Sequence, residues 1–119
     1  MADEYWAAIQ ARGAQANGRV FVAEESGAVV GFVAVLAALP FTELDEPAGT
    51  YALVTDVGVL PPQRGRGIGS RLLQHAEAFV RAACATELRI GVLTGNHGAR
   101  RLYLGSGFVP YQEMLVKRW

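Results

Sequence analysis

The residues Gln63-Arg64-Gly65-Arg66-Gly67-Ile68-Gly69 carry the most directly legible chemistry in the chain. Three alternating glycines let a backbone approach a ligand with no Cβ in the way. Behind them, Ile68, Leu72, Leu73, Ala76, Phe79, Val80 and Ala83 recur at steps of three and four, which predicts an amphipathic helix from Ile68 to Cys84. The first turn of a helix presents unpartnered N–H groups and the positive end of its dipole. A glycine loop that runs into such a turn is an anion cradle suited to a pyrophosphate, with Arg64 and Arg66 able to add charge at its rim. By pattern alone, a glycine-rich turn with solvated arginines reads equally well. Two nucleotide motifs fit poorly. A P-loop needs Gly-x-x-x-x-Gly-Lys-Ser/Thr, and Lys117, the single lysine, stands far away. A dinucleotide fingerprint needs Gly-x-Gly-x-x-Gly after a first strand, whereas the spacing here is Gly65-x-Gly67-x-Gly69 after a third.

The elements that must position this loop follow from local pattern. Asp3 caps a helix running to about Arg12, with Trp6 and Ile9 at helical spacing and Gly13 and Asn17-Gly18 to end it. Arg19 to Glu24 and Val29 to Leu36 are strands joined by the turn Glu25-Ser26-Gly27, a hairpin. Pro40 to Gly49 is a polar, acidic loop. Tyr51 to Leu60 is a third strand, stopped by Pro61-Pro62 because proline cannot donate to a ladder. After the long helix come a strand from Leu88 to Leu93, a helix from His97 to Leu104 closed by Gly105 and Gly107, and a last strand from Phe108 to Val116. The order is α-β-β-β-α-β-α-β, an α/β (α+β) chain. Its third and fourth strands, bridged by the long helix, form a βαβ unit and should be parallel.

Composition narrows the function. A chain of 119 residues holds one domain, residues 1–119. Eleven Lys and Arg balance 11 Asp and Glu, so no nucleic acid and no membrane surface is expected as a partner. An apolar share of 51% against 18% charged excludes disorder and points to a dense core or a buried subunit interface. The longest run free of charge and of side-chain hydrogen bonders, Ala28 to Phe41, is interrupted by Gly31 and Pro40 and falls short of the roughly 18–20 residues a membrane span needs. The acidic start, Met1-Ala2-Asp3-Glu4, lacks signal-peptide architecture. One cysteine, Cys84, forms no internal disulfide, and no Cys/His cluster offers a metal site. The chain reads as a soluble cytoplasmic protein.

The loop and its neighbours resemble the GNAT superfamily of acyl-CoA N-acyltransferases. The family signature Arg/Gln-x-x-Gly-x-Gly/Ala, set between a strand and a long helix, is matched by Arg64-Gly65-Arg66-Gly67-Ile68-Gly69. Asp56-Val57-Gly58-Val59-Leu60-Pro61 is similar to the strand that precedes it. Asn96, Ala99, Leu102-Tyr103 and Gly107-Phe108 match a downstream Asn-x-x-Ala-x-x-Leu-Tyr-x-x-x-Gly-Phe segment. The resemblance covers residues 20 to 119. It implies a mixed sheet with central antiparallel strands and a βαβ unit, helices on both faces, and transfer of acetyl from acetyl-CoA to a primary amine by direct attack, without a metal.

Carried over by position, the resemblance implies that amides of Arg64, Gly65, Arg66, Gly67, Ile68, Gly69 and Ser70 hold the pyrophosphate of coenzyme A. Val57 and Val59 would offer backbone hydrogen bonds to the acyl carbonyl and the pantetheine arm, where the third and fourth strands splay. Asn96 would touch the cofactor arm, or serve as a helix cap. Tyr103 would protonate the leaving thiolate, a role that aminolysis of a thioester requires and that a phenol can fill. Asp56 is the nearest carboxylate for a base, although strand alternation puts it on the opposite face from Val57. His97 beside Asn96 is a weaker candidate. His75 is expected at the surface and Cys84 in packing. Glu43, Asp45 and Glu46 form an acidic run that would attract a cationic amine or simply be solvated.

The departure lies at the amino end. The family begins with a strand and two helices before its hairpin, and only one helix, around Tyr5 to Arg12, precedes Val20. The first strand and one helix are therefore expected to be missing, which weakens the wall of the acceptor site. It would also expose the edge of Arg19 to Glu24 to a second subunit, a homodimer. The acceptor, a small molecule or a peptide or protein amine, is not specified. The alternative from another class is a CoA-binding sensor or interaction module with weak catalysis.

Overall fold

A computed structural model describes residues 10–15, 18–41 and 49–119. Among them, five strands form one sheet whose order follows the chain: β1 (Gln10–Gln15), β2 (Gly18–Glu25), β3 (Ala28–Pro40), β4 (Thr50–Val59) and β5 (Leu88–Ile90). A 3₁₀ turn, Pro61–Gln63, and two helices, α1 (Ile68–Ala82) and α2 (His97–Gly105), complete the regular structure of these residues. Neighbours from β1 to β4 are antiparallel, and β4 pairs with β5 in parallel through Ala52↔Leu88, Leu53↔Arg89 and Val54↔Ile90. The mixed sheet with antiparallel centre, which the resemblance implied, is therefore present, as is the parallel βαβ pair read from the strand–helix–strand pattern.

Register decides which residues share a face. Phe21 pairs with Val33, and Val33 with Val57, so these point to one side. The α1 helix packs there, with the Phe21 ring 6.0 Å from Phe79 and 6.1 Å from His75. Val33, Val35, Ala52 and Val54 meet Ile68, Leu72, Leu73, Ala76 and Val80 in the core. Each large side chain buried there, such as Leu72, stabilises by about 2 kcal/mol. His75 is thus half-buried against Phe21 and not a surface residue. The α2 helix packs beside the first turn of α1, where Leu102 Cδ2 stands 3.0 Å from the position a Cβ on Gly69 would take. A side chain at Gly69 would force the Leu102 tip to give by a few tenths of an ångström.

The α1 helix ends in a left-handed cap. The Ala85 N–H donates to the Val80 carbonyl and the Cys84 N–H to that of Arg81, with Cys84 at φ 66°. Glycine normally fills this position because a side chain there costs roughly 1–2 kcal/mol. Cys84 is exposed, outside the core packing expected of it. The substitution Cys84→Gly should raise unfolding stability by about 0.5–1 kcal/mol, part of the relief being offset by a freer unfolded chain. Urea melts would show this as a higher midpoint at unchanged slope, and an unchanged or lower midpoint contradicts it.

Both ends depart from the sequence expectation. Residues 1–9, where most of the predicted first helix lies, fall outside the described residues, but Gln10 to Arg12 are strand. The β1 strand pairs with β2 through Gln10↔Val22, Ala11↔Phe21, Arg12↔Val20 and Gln15↔Gly18. The first strand expected to be missing is therefore present. It covers most of the β2 edge that would have called for a second subunit, and two residues link it to β2, too few for a helix pair. At the other end, Phe108 to Val116 form no strand. Pro110 removes a donor from the middle of that run. The segment meets the sheet through Tyr111, whose ring centre is 5.0 Å from the Arg89 guanidinium, while Arg89 stacks 3.9 Å from Tyr51 and ion-pairs with Glu87 at 2.7 Å.

Candidate functional site

The site begins with an irregularity in β4. Val54 pairs with Val35 and Asp56 with Ala34, which leaves Thr55 as an extra, bulged residue. The Thr55 hydroxyl donates to the Ala34 carbonyl at 3.3 Å and ties the bulge to β3. Before the bulge, the Ala52 N–H donates toward β5, to the Glu87 carbonyl at 2.9 Å. After it, the Leu60 N–H donates the other way, to Val30 of β3 at 2.8 Å. Because N–H groups alternate along a strand, those of Val57 and Val59 point away from β3. They face the gap that opens where β5 stops pairing beyond Ile90. The bulge thus selects these two valines, and it turns the Asp56 side chain to the face opposite Val57.

A cleft of about 200 Å³ occupies the gap, lined by Val54, Thr55, Asp56, Val57, Ile90, Gly91 and Tyr103. Tyr103 reaches it from α2, half-buried, and burial holds its phenol above the usual value of 10.0. Local structure fixes the ring. Asn96 caps α2 by accepting the Ala99 N–H at 3.1 Å. At the other end Gly107, at φ 98°, lets the chain fold back, so that the Phe108 N–H donates to the Tyr103 carbonyl at 3.1 Å. The Phe108 ring then packs edge-on to Tyr103 at 6.1 Å. The Asn96 and Gly107-Phe108 signals thus bracket Tyr103 physically. Replacing Asn96 with alanine should cost about 1 kcal/mol of stability through the lost cap; thermal melts that match the unmodified chain would contradict it.

The glycine loop leads into α1. Gly65 and Gly67 have φ of 76° and 83°, and nothing lies within 4 Å of a Cβ built at either position. No side chain caps α1, and the Arg71 N–H closes its first turn onto the Gly67 carbonyl at 3.1 Å. The N–H groups of Ile68, Gly69 and Ser70 therefore have no acceptor within the helix and open on uncrowded loop. Such a cradle fits a pyrophosphate. Arg64 differs from expectation: its own N–H donates to the Pro61 carbonyl at 3.2 Å, so the amides left for an anion begin after it. Its Nε donates to the Val59 carbonyl at 2.9 Å. Arg66 ion-pairs with Glu25 at 3.4 Å and ties the loop to the β2–β3 turn.

His97 lies exposed in the first turn of α2, and Glu43, Asp45 and Glu46 fall outside the described residues. Thr55, Ile90 and Gly91 are cleft residues that sequence reading passed over. Nothing local marks the bulge, although the apolar tail of the Leu88 strand hinted at the far wall. Among the described residues, no group of His, Cys, Asp or Glu could hold a metal, and no helix is long and apolar enough to cross a membrane.

Residues 2–108 match the Acetyltransferase (GNAT) family. The chain is 37% identical over 106 residues to N-acetyltransferase 8F1 of Rattus norvegicus, covering 87% of this chain but only 46% of that protein. Among solved structures, it superimposes with a TM-score of 0.77 on AAC(6')-Iy in complex with a bisubstrate analog, CoA-S-monomethyl-acetylneamine. That match is 16% identical and covers 88% of this chain and 71% of the other. The aminoglycoside antibiotic 6'-N-acetyltransferase AAC(6')-Ih from Acinetobacter baumannii gives 0.73, at 17% identity over 88% and 71%. These two likenesses establish the fold. With the family match spanning nearly its whole length, the chain belongs to the GNAT acetyltransferase family.

Proposed function

We propose that the chain transfers an acetyl group from acetyl-CoA to a primary amine by direct attack within a ternary complex. The observation that carries this reading is that the outward edge of Val57 and the Tyr103 side chain line one gap in the sheet, with the first turn of α1 beside Val59. Acetyl-CoA supplies an activated thioester. The N–H groups from Gly65 to Ser70 would hold its pyrophosphate, and the outward edge of Val59 would pair with the pantetheine amides. The Val59 carbonyl that receives Arg64 is then shared or released. The Val57 N–H would stabilise charge on the carbonyl oxygen as the amine nitrogen bonds to the acyl carbon. As the carbon–sulfur bond breaks, Tyr103 would give its proton to the sulfur. Asp56, exposed on the opposite face at the mouth of the same cleft, would take the proton lost by the amine, directly or through water. Asn96 contributes by holding α2, and with it Tyr103, in place.

The rat relative's name and the bisubstrate analog held by AAC(6')-Iy support this chemistry. The two-residue link between β1 and β2 favours a second reading, a CoA-binding module without turnover, because no helix pair there walls an acceptor site. Thiol release from acetyl-CoA across a panel of amines separates the two. Amine-dependent release is expected; tight acetyl-CoA binding with no release from any amine would favour the module.

A further inference from the structure

We infer that Phe32 and Asp56 together form the acceptor subsite, and that it takes a primary ammonium carried on an apolar arm. The inference rests on the acetyl-transfer reading and names its substrate class. In the β3–β4 register, Phe32 pairs with Gly58 and Ala34 with Asp56. Phe32 and Asp56 are therefore diagonal neighbours on one face, the face turned away from α1, with Cβ atoms about 7 Å apart. The Phe32 ring lies over Gly58, whose missing side chain gives it a seat: a Cβ there would stand 3.0 Å from Phe32 Cε1. Despite its place on a strand interior to the sheet, Phe32 is 38% exposed.

Asp56 is exposed beside it and lines the cleft that Tyr103 and Val57 share. A carboxylate draws an ammonium by charge, and an aromatic face draws it through the ring quadrupole. An exposed pair of this kind at the mouth of a reaction cleft is suited to a cationic amine. The α1 cradle opens from the other face, so donor and acceptor would approach the gap from opposite sides of the sheet. Ala34, Leu36 and Leu53, which share the face with Asp56, offer hydrocarbon to the rest of the acceptor. A polyhydroxylated or polycationic body would leave its polar groups unpaired against them.

The test uses the full chain with 2-phenylethylamine, hexylamine, ethanolamine and neamine as acceptors, and compares Phe32→Ala, Phe32→Leu and Phe32→Tyr. The two apolar amines are expected to exceed ethanolamine and neamine in kcat/KM by about tenfold or more. Phe32→Ala should raise the KM for 2-phenylethylamine about tenfold and leave the acetyl-CoA KM within twofold. Phe32→Tyr should keep the wild-type value, and Phe32→Leu should fall between, since it retains area without a ring. Turnover that prefers neamine, or an amine KM unmoved in a folded Phe32→Ala protein, overturns the inference and leaves acetyl transfer standing. No turnover with any amine overturns both.

Discussion

Tyr103→Phe is expected to lower kcat for amine acetylation about a hundredfold, the usual scale for loss of a positioned acid. The acetyl-CoA KM should move less than twofold, because the phenyl ring keeps its packing against Phe108. Burial raises the Tyr103 pKa, so the group stays protonated through the physiological range and the wild-type rate should fall only as pH climbs beyond about 10. The variant should lack that alkaline limb. Stability follows the same sign. A raised folded pKa contributes nothing to pH dependence below the unfolded value near 10, and stability is lost as pH rises through the interval above it. The Phe variant should lose less stability over that interval. A Tyr103→Phe enzyme with kcat within threefold of wild type would remove Tyr103 from the acid role.

Gly67→Val should act on the other half of the reaction. At φ 83° this residue turns the loop into α1, and a β-branched side chain is strained there whatever the free space. A penalty of roughly 1–2 kcal/mol either shifts the loop or displaces the first-turn amides, and a tenfold weaker hold on acetyl-CoA follows. Calorimetric titration should show that loss, with kcat at saturating acetyl-CoA reduced far less than by Tyr103→Phe. Unchanged affinity in a folded variant would mean that the anion is held elsewhere.

Much of the glycine loop and of α1 was legible because the signals are local. Glycines set the loop, apolar steps of three and four set α1, and Pro61-Pro62 ended β4. The misreadings arose where partners decide. Gln10 to Gln15 contain no β-branched or aromatic residue, so their strand comes from pairing with β2 and not from propensity. Phe108 to Val116 have strand-like composition but Pro110 in the middle and no ladder to join. Cys84 fitted the helical stripe by number, yet the helix had already turned into its left-handed cap. The bulge at Thr55 carries no glycine or proline to announce it, and a pattern of alternation could not say that Asp56 and Phe32 come to lie beside each other.

The sheet order β1-β2-β3-β4-β5, identical to the chain order, has a consequence for assembly. Each antiparallel neighbour is reached by a turn or a short connection, so the entropy of closing loops accrues in small steps. Joining β4 to β5 is the exception, since the whole of α1 lies between these parallel neighbours. Folding speed is set by such non-local closures, so this crossover is expected to complete the molecule last. The proposed donor cradle and the gap lined by Val57 and Tyr103 both belong to it. On the proposed function acetyl-CoA binds only the finished crossover, and it should therefore slow unfolding more than it speeds folding.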